Sequence, residues 1–325
     1  MRIAVLDDYQ GAFGALDAAR RLGDHEVVVF RDSVRGAALI ERLHGCEAAI
    51  LLQQRTALPR EVVECLDTLR MIAQTGRHTA HLDLRALAER GIVVSAVGSG
   101  TPAVTAELTW GLILAALRGL PDEVARLRAG SWQGSVGTRL IGTTLGVLGL
   151  GGIGGRVAAV GAAFGMEVLV GGRAGSADRA AAAGYAVAAD TADLFTRSDV
   201  LTVHLPLNAS TAGIVTADHL ARMKPGALFV NTSRAGLVAP GALAAALAAG
   251  RPGRAAIDVF DDEPVLGATD PLIALPQVTA TPHLGYVEWG VLETLYGSAA
   301  DAILAYAAGE PTGVVTPPDE PLAGR

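Results

Sequence analysis

Cysteine is scarce in this 325-residue chain: Cys46 and Cys65 are the two present, and they form no C-x-x-C pair. No disulfide framework follows from them, and they read as reduced thiols of a cytoplasmic protein. An excess of positive charge is also missing. The 26 Lys and Arg face 33 Asp and Glu, and the net charge of −7 offers no basic footprint for nucleic acid. Long apolar runs are absent too. The longest on a helical pattern, 108–117, is well short of the ~20 residues that cross a bilayer, so no membrane partner is expected. The opening MRIAVLDDYQ puts acids where the apolar region of a signal peptide would continue. No metal cluster stands out: His78 and His81 lie three apart without a third ligand and read as part of a polar loop.

What is abundant is apolar and small. Half of the residues are hydrophobic, 40 are glycine and 18% are charged, the composition of a soluble α/β protein of about two domains. The stretch LGVLGLGGIGGR, 145–156, organises the rest. Residues 145–148 read as a buried strand and 156–164 as the following helix, with Gly149, Gly151 and Gly154 forming G-x-G-x-x-G between them. Gly149 allows the tight turn, Gly151 lets a pyrophosphate approach the backbone, and Gly154 lets helix and strand pack closely. The N–H groups and positive dipole end of that helix are suited to phosphates.

Residues 1–98 alternate short apolar runs (3–6, 26–30, 48–52, 71–73, 92–95) with helical patterns such as 37–43 and 61–66. This predicts a flavodoxin-like parallel sheet without a glycine fingerprint. Its strand near 73 runs into Thr75, Gly76, Arg77 and His78, a loop at the carboxyl end of a strand, where such folds bind ligands. Thr101-Pro102 reads as an N-cap with proline at the first helical position. The helix to 118 is apolar on most faces and is expected to be buried between domains or subunits. A second helix is predicted over 122–129. Strands then recur at 145–149, 166–170, 185–188, 200–204, 227–231, 255–259 and 278–280, a doubly wound nucleotide-binding domain. A helical pattern covers 288–308, and 310–325, rich in proline and glycine, is expected to be loosely ordered. The predicted architecture is therefore two doubly wound α/β domains, one of 1–98 plus 287–325 and one of 99–286.

Three later segments join the fingerprint: Asn231-Thr232-Ser233-Arg234-Ala235, Asp258-Val259-Phe260-Asp261-Asp262-Glu263-Pro264 and Thr281-Pro282-His283-Leu284-Gly285. In this order they resemble the D-isomer-specific 2-hydroxyacid dehydrogenases, over nearly the whole chain and most strongly from 145 to 286. Supporting pieces are 163–166, 204–207 and 223–226, and the opening 5–10 is similar to one broad bacterial branch. The resemblance implies a Rossmann NAD(P)-binding domain and a substrate-binding domain. It also implies that Arg234 anchors the substrate and that Glu263 and His283 form the acid–base pair. The chemistry needs such groups. A guanidinium holds the carboxylate and carbonyl of a 2-oxoacid with fixed donors, a protonated imidazole supplies a proton to the carbonyl oxygen, and a carboxylate beside the imidazole favours its charged form and fixes its orientation. By the same resemblance, backbone N–H groups at Thr75, Gly76, Arg77 and His78 bind the substrate carboxylate. Asp258 meets the nicotinamide carboxamide, and Gly152, Ile153, Pro206, Thr232 and Ser233 line the cofactor. His204 reads as a strand-end contact near the cofactor.

Departures concern the cofactor. The second strand of a Rossmann domain that prefers NAD ends in an acid, whereas this one reads Val168-Leu169-Val170-Gly171-Gly172-Arg173, with Asp178 beyond it. Gly172 removes repulsion against a 2′-phosphate and Arg173 can pair with one, which favours NADP and leaves NAD open. Ala235 and Gly152 also differ from the residues usual in the family. The expected activity is interconversion of a small 2-oxoacid and its D-2-hydroxyacid, of the glyoxylate or hydroxypyruvate reductase type, by a homodimer. Alternatives are a 3-phosphoglycerate dehydrogenase, with Arg55, Arg77 and His78 as its cationic patch, a formate dehydrogenase, whose extra segments are not seen, and a dinucleotide-sensing corepressor-like binding protein.

Overall fold

The computed structural model describes residues 1–317. The chain forms two compact units, Met1–Gly100 joined by the chain from Val287 onward, and Thr101–Tyr286.

The first unit carries a parallel five-stranded sheet, β1 (Arg2–Val5), β2 (Glu26–Val29), β3 (Ala48–Leu51), β4 (Met71–Thr75) and β5 (Val93–Val97), in the order β2-β1-β3-β4-β5. This is the flavodoxin-like order. Every residue of β3 and β4 is buried, which is why β3 and the first three residues of β4 read as apolar runs rather than as alternation; β4 ends in the buried polar Gln74 and Thr75. Helix Trp289–Ala307 belongs to this unit. Its N-terminus is capped by the Glu288 carboxylate, which accepts from the N–H groups of Gly290 and Val291 at 2.9 and 3.0 Å. The expectation of loose order after 310 fails for the part described. The Ser95 hydroxyl donates to Thr312 O at 2.6 Å, Ala96 N to Gly313 O at 2.9 Å and Val315 N to Val94 O at 2.8 Å, an antiparallel strap on the free edge of β5. The remainder of that stretch, 318–325, lies outside the described residues.

The second unit carries a parallel seven-stranded sheet: β6 (Thr144–Leu148), β7 (Glu167–Gly171), β8 (Ala186–Val187), β9 (Val200–Val203), β10 (Leu228–Asn231), β11 (Arg254–Ile257) and β12 (Val278–Ala280). Its order is β12-β11-β10-β9-β6-β7-β8, so the strand order reverses between β6 and β9. That reversal is the switch point at which doubly wound sheets open a ligand crevice.

Helix Pro102–Arg118 is not held in reserve for another domain or subunit. Ala106, Trp110, Leu112, Ile113, Ala116 and Leu117 enter the core of this same unit beside Leu145, Val157, Val200 and Leu228, and the Trp110 indole donates to Val157 O at 3.2 Å. Proline occupies its first turn as expected, but the Thr101 side chain makes no capping bond. The second helix begins two residues early, at Leu120, because Gly119 at φ +59° turns the chain directly from one helix into the next. Ile113 is fully buried, so Ile113→Ala should lower unfolding stability by about 2–5 kcal/mol. A urea titration followed by fluorescence measures this, and a loss below the lower figure would place the helix outside the core.

Candidate active site

The glycine loop follows β6 at the switch point. Helix Gly152–Ala163 starts at Gly152, earlier than the apolar pattern indicates, because three of the four residues at 152–155 are glycine and give little periodicity to read. Each glycine has a distinct cause. Gly149 has φ +97°, and a Cβ there would lie 2.6 Å from His204 O. A Cβ on Gly154 would lie 2.1 Å from Gly149 O, so helix and loop approach to backbone contact. Gly151 is different: a Cβ there would meet nothing within 4 Å, and the residue is exposed. The space over Gly151, at the N-terminus of a helix with unpaired first-turn N–H groups, fits a pyrophosphate. Gly152 is exposed and its Cβ position is 3.3 Å from Pro102, while Ile153 is half-buried against the core.

The loop is braced from helix Ala174–Ala182, which follows β7. The Ser176 hydroxyl accepts from Leu150 N at 3.2 Å and the Arg179 guanidinium donates to Leu150 O at 2.5 Å. Gly172 has φ +143°, with its Cβ position 2.9 Å from Ser176 Oγ, so an acid does not fit there without a shift of the backbone or of Ser176. Arg173 is exposed and precedes helix Ala174–Ala182, which contains Asp178. Pro206 is exposed and its carbonyl accepts from Thr211 Oγ1 at 2.6 Å. His204 is buried after β9. Its Nε2 pairs with Thr202 Oγ1 at 2.9 Å, its Nδ1 has no partner, and burial pushes its pKa down to about 3. It is a neutral ring beneath the glycine loop.

The other site residues follow β10, β11 and β12, three neighbouring parallel strands whose ends span about 10 Å at ordinary strand spacing. After β10, the Asn231 amide accepts from Ser233 N at 3.0 Å and donates to Arg234 O at 2.9 Å, which fixes the turn. The Ser233 hydroxyl is tied to Val203 O at 2.8 Å, and the buried Thr232 hydroxyl pairs with that of Thr109 at 2.8 Å. The Arg234 guanidinium donates to Ser233 O at 2.7 Å and is half-buried. Ala235, where a glycine is usual, opens a short 3-10 turn without a positive φ.

After β11 comes Asp258, 0% exposed. Its Oδ1 accepts from Thr281 Oγ1 at 2.6 Å and Leu284 N at 2.7 Å, and its Oδ2 from Gly285 N at 2.9 Å. Burial raises its pKa, opposed chiefly by the Thr281 hydrogen bond. The carboxylate holds the loop that carries His283. His283 adopts φ +53°, and its N–H donates to Thr281 O at 3.0 Å. Its Nδ1 lies 2.6 Å from Glu263 Oε2, with 13% and 16% of the two side chains exposed. Glu263 Oε1 accepts from Phe260 N at 2.9 Å. Twenty residues apart in sequence, these two groups meet because β11 and β12 are adjacent. An ionised carboxylate only accepts, so Nδ1 carries the proton toward Glu263 and Nε2 is the other ring nitrogen.

In the first unit the structure divides the 75–78 loop. Thr75 is fully buried at the end of β4, and Gly76, at φ +81°, donates its N–H to Val97 O at 2.6 Å. These two do not present N–H groups to a carboxylate. Arg77 and His78 are exposed. Arg55, expected in the same cationic patch, is buried.

The chain matches the model of the NAD-binding domain of D-isomer specific 2-hydroxyacid dehydrogenases over residues 110–285. A solved chain from Ralstonia solanacearum is 46% identical with a TM-score of 0.93, covering 97% of each chain. A phosphoglycerate oxidoreductase from Vibrio cholerae is 44% identical with a TM-score of 0.91, covering 95% of this chain and 99% of that one. The chain belongs to the D-isomer specific 2-hydroxyacid dehydrogenase family. The D-3-phosphoglycerate dehydrogenase of Mycobacterium leprae is 37% identical over 266 residues, 81% of this chain and 50% of that protein. The chain thus spans about half the length of the curated relatives it matches. The family's cofactor class, a nicotinamide dinucleotide, is the one that the glycine loop fits.

Motif reading alone does not reveal the bracing groups Thr109, Ser176, Arg179 and Thr281. Thr281 has a signal in its place two residues before His283; the others have none. Asp258→Asn replaces one acceptor with an amide that faces an N–H. It should speed hydrogen exchange at the Leu284 and Gly285 amides by about tenfold or more, the worth of a charged hydrogen bond. Unchanged exchange would mean that the loop holds itself.

Proposed function

We propose that this chain interconverts a small 2-oxoacid and the matching D-2-hydroxyacid, of the glyoxylate or hydroxypyruvate type. The Glu263–His283 pair at 2.6 Å, beside Arg234 at the ends of adjacent strands, is the observation that carries this reading. The nicotinamide dinucleotide, held along Gly149, Gly151, Gly152, Ile153 and Gly154 with Pro206, Thr232 and Ser233 nearby, supplies or accepts the hydride. Arg234 orients the 2-oxoacid and stabilises charge developing on its carbonyl oxygen. His283 gives its Nε2 proton to that oxygen on reduction and takes it back on oxidation. Glu263 keeps the imidazole in the required tautomer and balances its charge. The exposed backbone of Arg77 and His78 receives the substrate carboxylate.

The cofactor preference we propose is NADP. Gly172 carries no acid to repel a 2′-phosphate, its Cβ position is crowded by Ser176 Oγ at 2.9 Å, and Arg173 is exposed beside it. A second substrate reading, 3-phosphoglycerate, is favoured by the names of the curated relatives. Of the cationic patch it needs, Arg77 and His78 are exposed and Arg55 is not. The two free cysteines suit a cytoplasmic setting.

Titrations with NADH and NADPH, each with glyoxylate, pyruvate, hydroxypyruvate and 3-phosphoglycerate, test this directly. Loss of nicotinamide absorbance should be faster with NADPH. His283→Gln should lower kcat by about 10²–10⁴-fold with cofactor binding retained. Because reduction takes up one proton, its apparent equilibrium constant should fall about tenfold per pH unit. Tight cofactor binding without turnover of any acid would favour the sensor reading instead.

We also propose a homodimer, formed through the segment after Gly119 rather than through helix Pro102–Arg118. Helix Leu120–Arg128 buries no residue, and it exposes Leu120, Val124 and Leu127 on one side. Trp132 and Val136 follow, 76% and 99% exposed. So much contiguous apolar surface marks an interaction site. The chain should sediment as a dimer and the double substitution Leu127→Asp, Trp132→Asp as a monomer; a wild-type monomer would exclude this interface.

A further inference from the structure

The loop that follows β4 is fixed by a buried side-chain relay that the catalytic reading does not use. Gln74 is fully buried in β4. Its Nε2 donates to Gln53 O at 2.7 Å and to Thr75 O at 2.8 Å, and its Oε1 pairs with His81 Nε2 at 3.2 Å. With both amide protons committed to carbonyls, Gln74 Oε1 can only accept, so His81 carries its proton on Nε2 and its lone pair on Nδ1. That Nδ1 is buried without a partner, an acceptor left open rather than a donor. The cross-link continues on the other side. The Thr75 hydroxyl accepts from Gln53 N at 2.9 Å, and the Cβ position of Gly76 is 3.2 Å from the Gln53 amide oxygen. Gln53 itself sits at φ +51°, a left-handed conformation that a non-glycine residue keeps only when its surroundings impose it.

We infer that Gln74 and His81 are positioning residues for the substrate: the relay His81–Gln74–Gln53/Thr75 fixes the direction of the Arg77 and His78 backbone that receives the carboxylate. This rests on the reading of the 75–78 loop given above. The relay sets the pose of the bound acid without touching it. Burial keeps His81 neutral, its pKa lowered to about 4, with His78 adding to the same direction, so the relay stays in one tautomer across the working range of pH.

The test is His81→Leu against His81→Gln, whose amide can reach the Nε2 position and restore the donor. In His81→Leu, KM for the 2-oxoacid that the wild type turns over should rise about tenfold, the worth of one buried hydrogen bond. NADPH affinity should stay within about twofold, and hydrogen exchange at residues 76–78 should quicken. His81→Gln should recover most of the KM. If His81→Leu does not fold, Thr75→Val, which removes the acceptor of Gln53 N, should show the same rise, with Thr75→Ser as its rescue. Unchanged KM and unchanged exchange in an active His81→Leu, or in Thr75→Val, overturn the relay alone. A wild type inactive on every 2-oxoacid overturns the reading on which the relay rests.

Discussion

A single buried carboxylate fixes where the acid–base group stands. Asp258 leaves the end of β11 with no exposed surface, and three donors from the next strand's loop converge on it: Thr281 Oγ1, Leu284 N and Gly285 N. Taking a charge out of water is costly unless donors replace the lost hydration, so the segment 281–285 is folded around the carboxylate. His283 lies inside that segment and is driven into a left-handed conformation at φ +53°. Once its backbone is set, the ring has Glu263 on its Nδ1 side. The position of the His283 ring in this unit therefore depends on a buried carboxylate on the neighbouring strand.

Histidine is used in two different ways. His283 is paired with a carboxylate and partly open. His81, half-buried, and His204, buried, are bonded at Nε2 to an amide oxygen and a hydroxyl, and are open at Nδ1. Neither has a carboxylate to stabilise a cation, and burial pushes both well below the ordinary histidine range. The contrast sorts the three by their surroundings: one ring is held by a carboxylate, and the other two are neutral struts.

The sheets were legible because parallel strands buried on both faces leave continuous apolar runs, as in 48–51 and 200–203. The glycine fingerprint was legible because each glycine answers a separate steric demand. The Glu263–His283 pair came through motif order, since no spacing rule joins groups twenty residues apart. What stayed hidden has physical causes. Helix Gly152–Ala163 starts within a run of glycines, which carry no periodicity. Helix Pro102–Arg118 is apolar on most faces, and its sequence does not say whose core it enters. The division of the 75–78 loop depends on the register Thr75↔Val97, which places Gly76 N opposite Val97 O. The resemblance marks Asp258 as a cofactor-side residue, but sequence does not show the donors that three later residues bring to it.

The glycine at 172 follows from the same kind of crowding. Helix Ala174–Ala182 holds the pyrophosphate loop at both faces of Leu150, with the Ser176 hydroxyl on its N–H and the Arg179 guanidinium on its carbonyl. The Ser176 hydroxyl that accepts from Leu150 is the atom that a side chain at 172 would strike, at 2.9 Å. Bracing the phosphate loop in this way excludes an acid from the end of β7. The region that would discriminate a ribose 2′-substituent is thus tied mechanically to the loop that would hold the phosphates. The residue at the end of β7 is constrained by how the glycine loop is supported, and not by its own position alone.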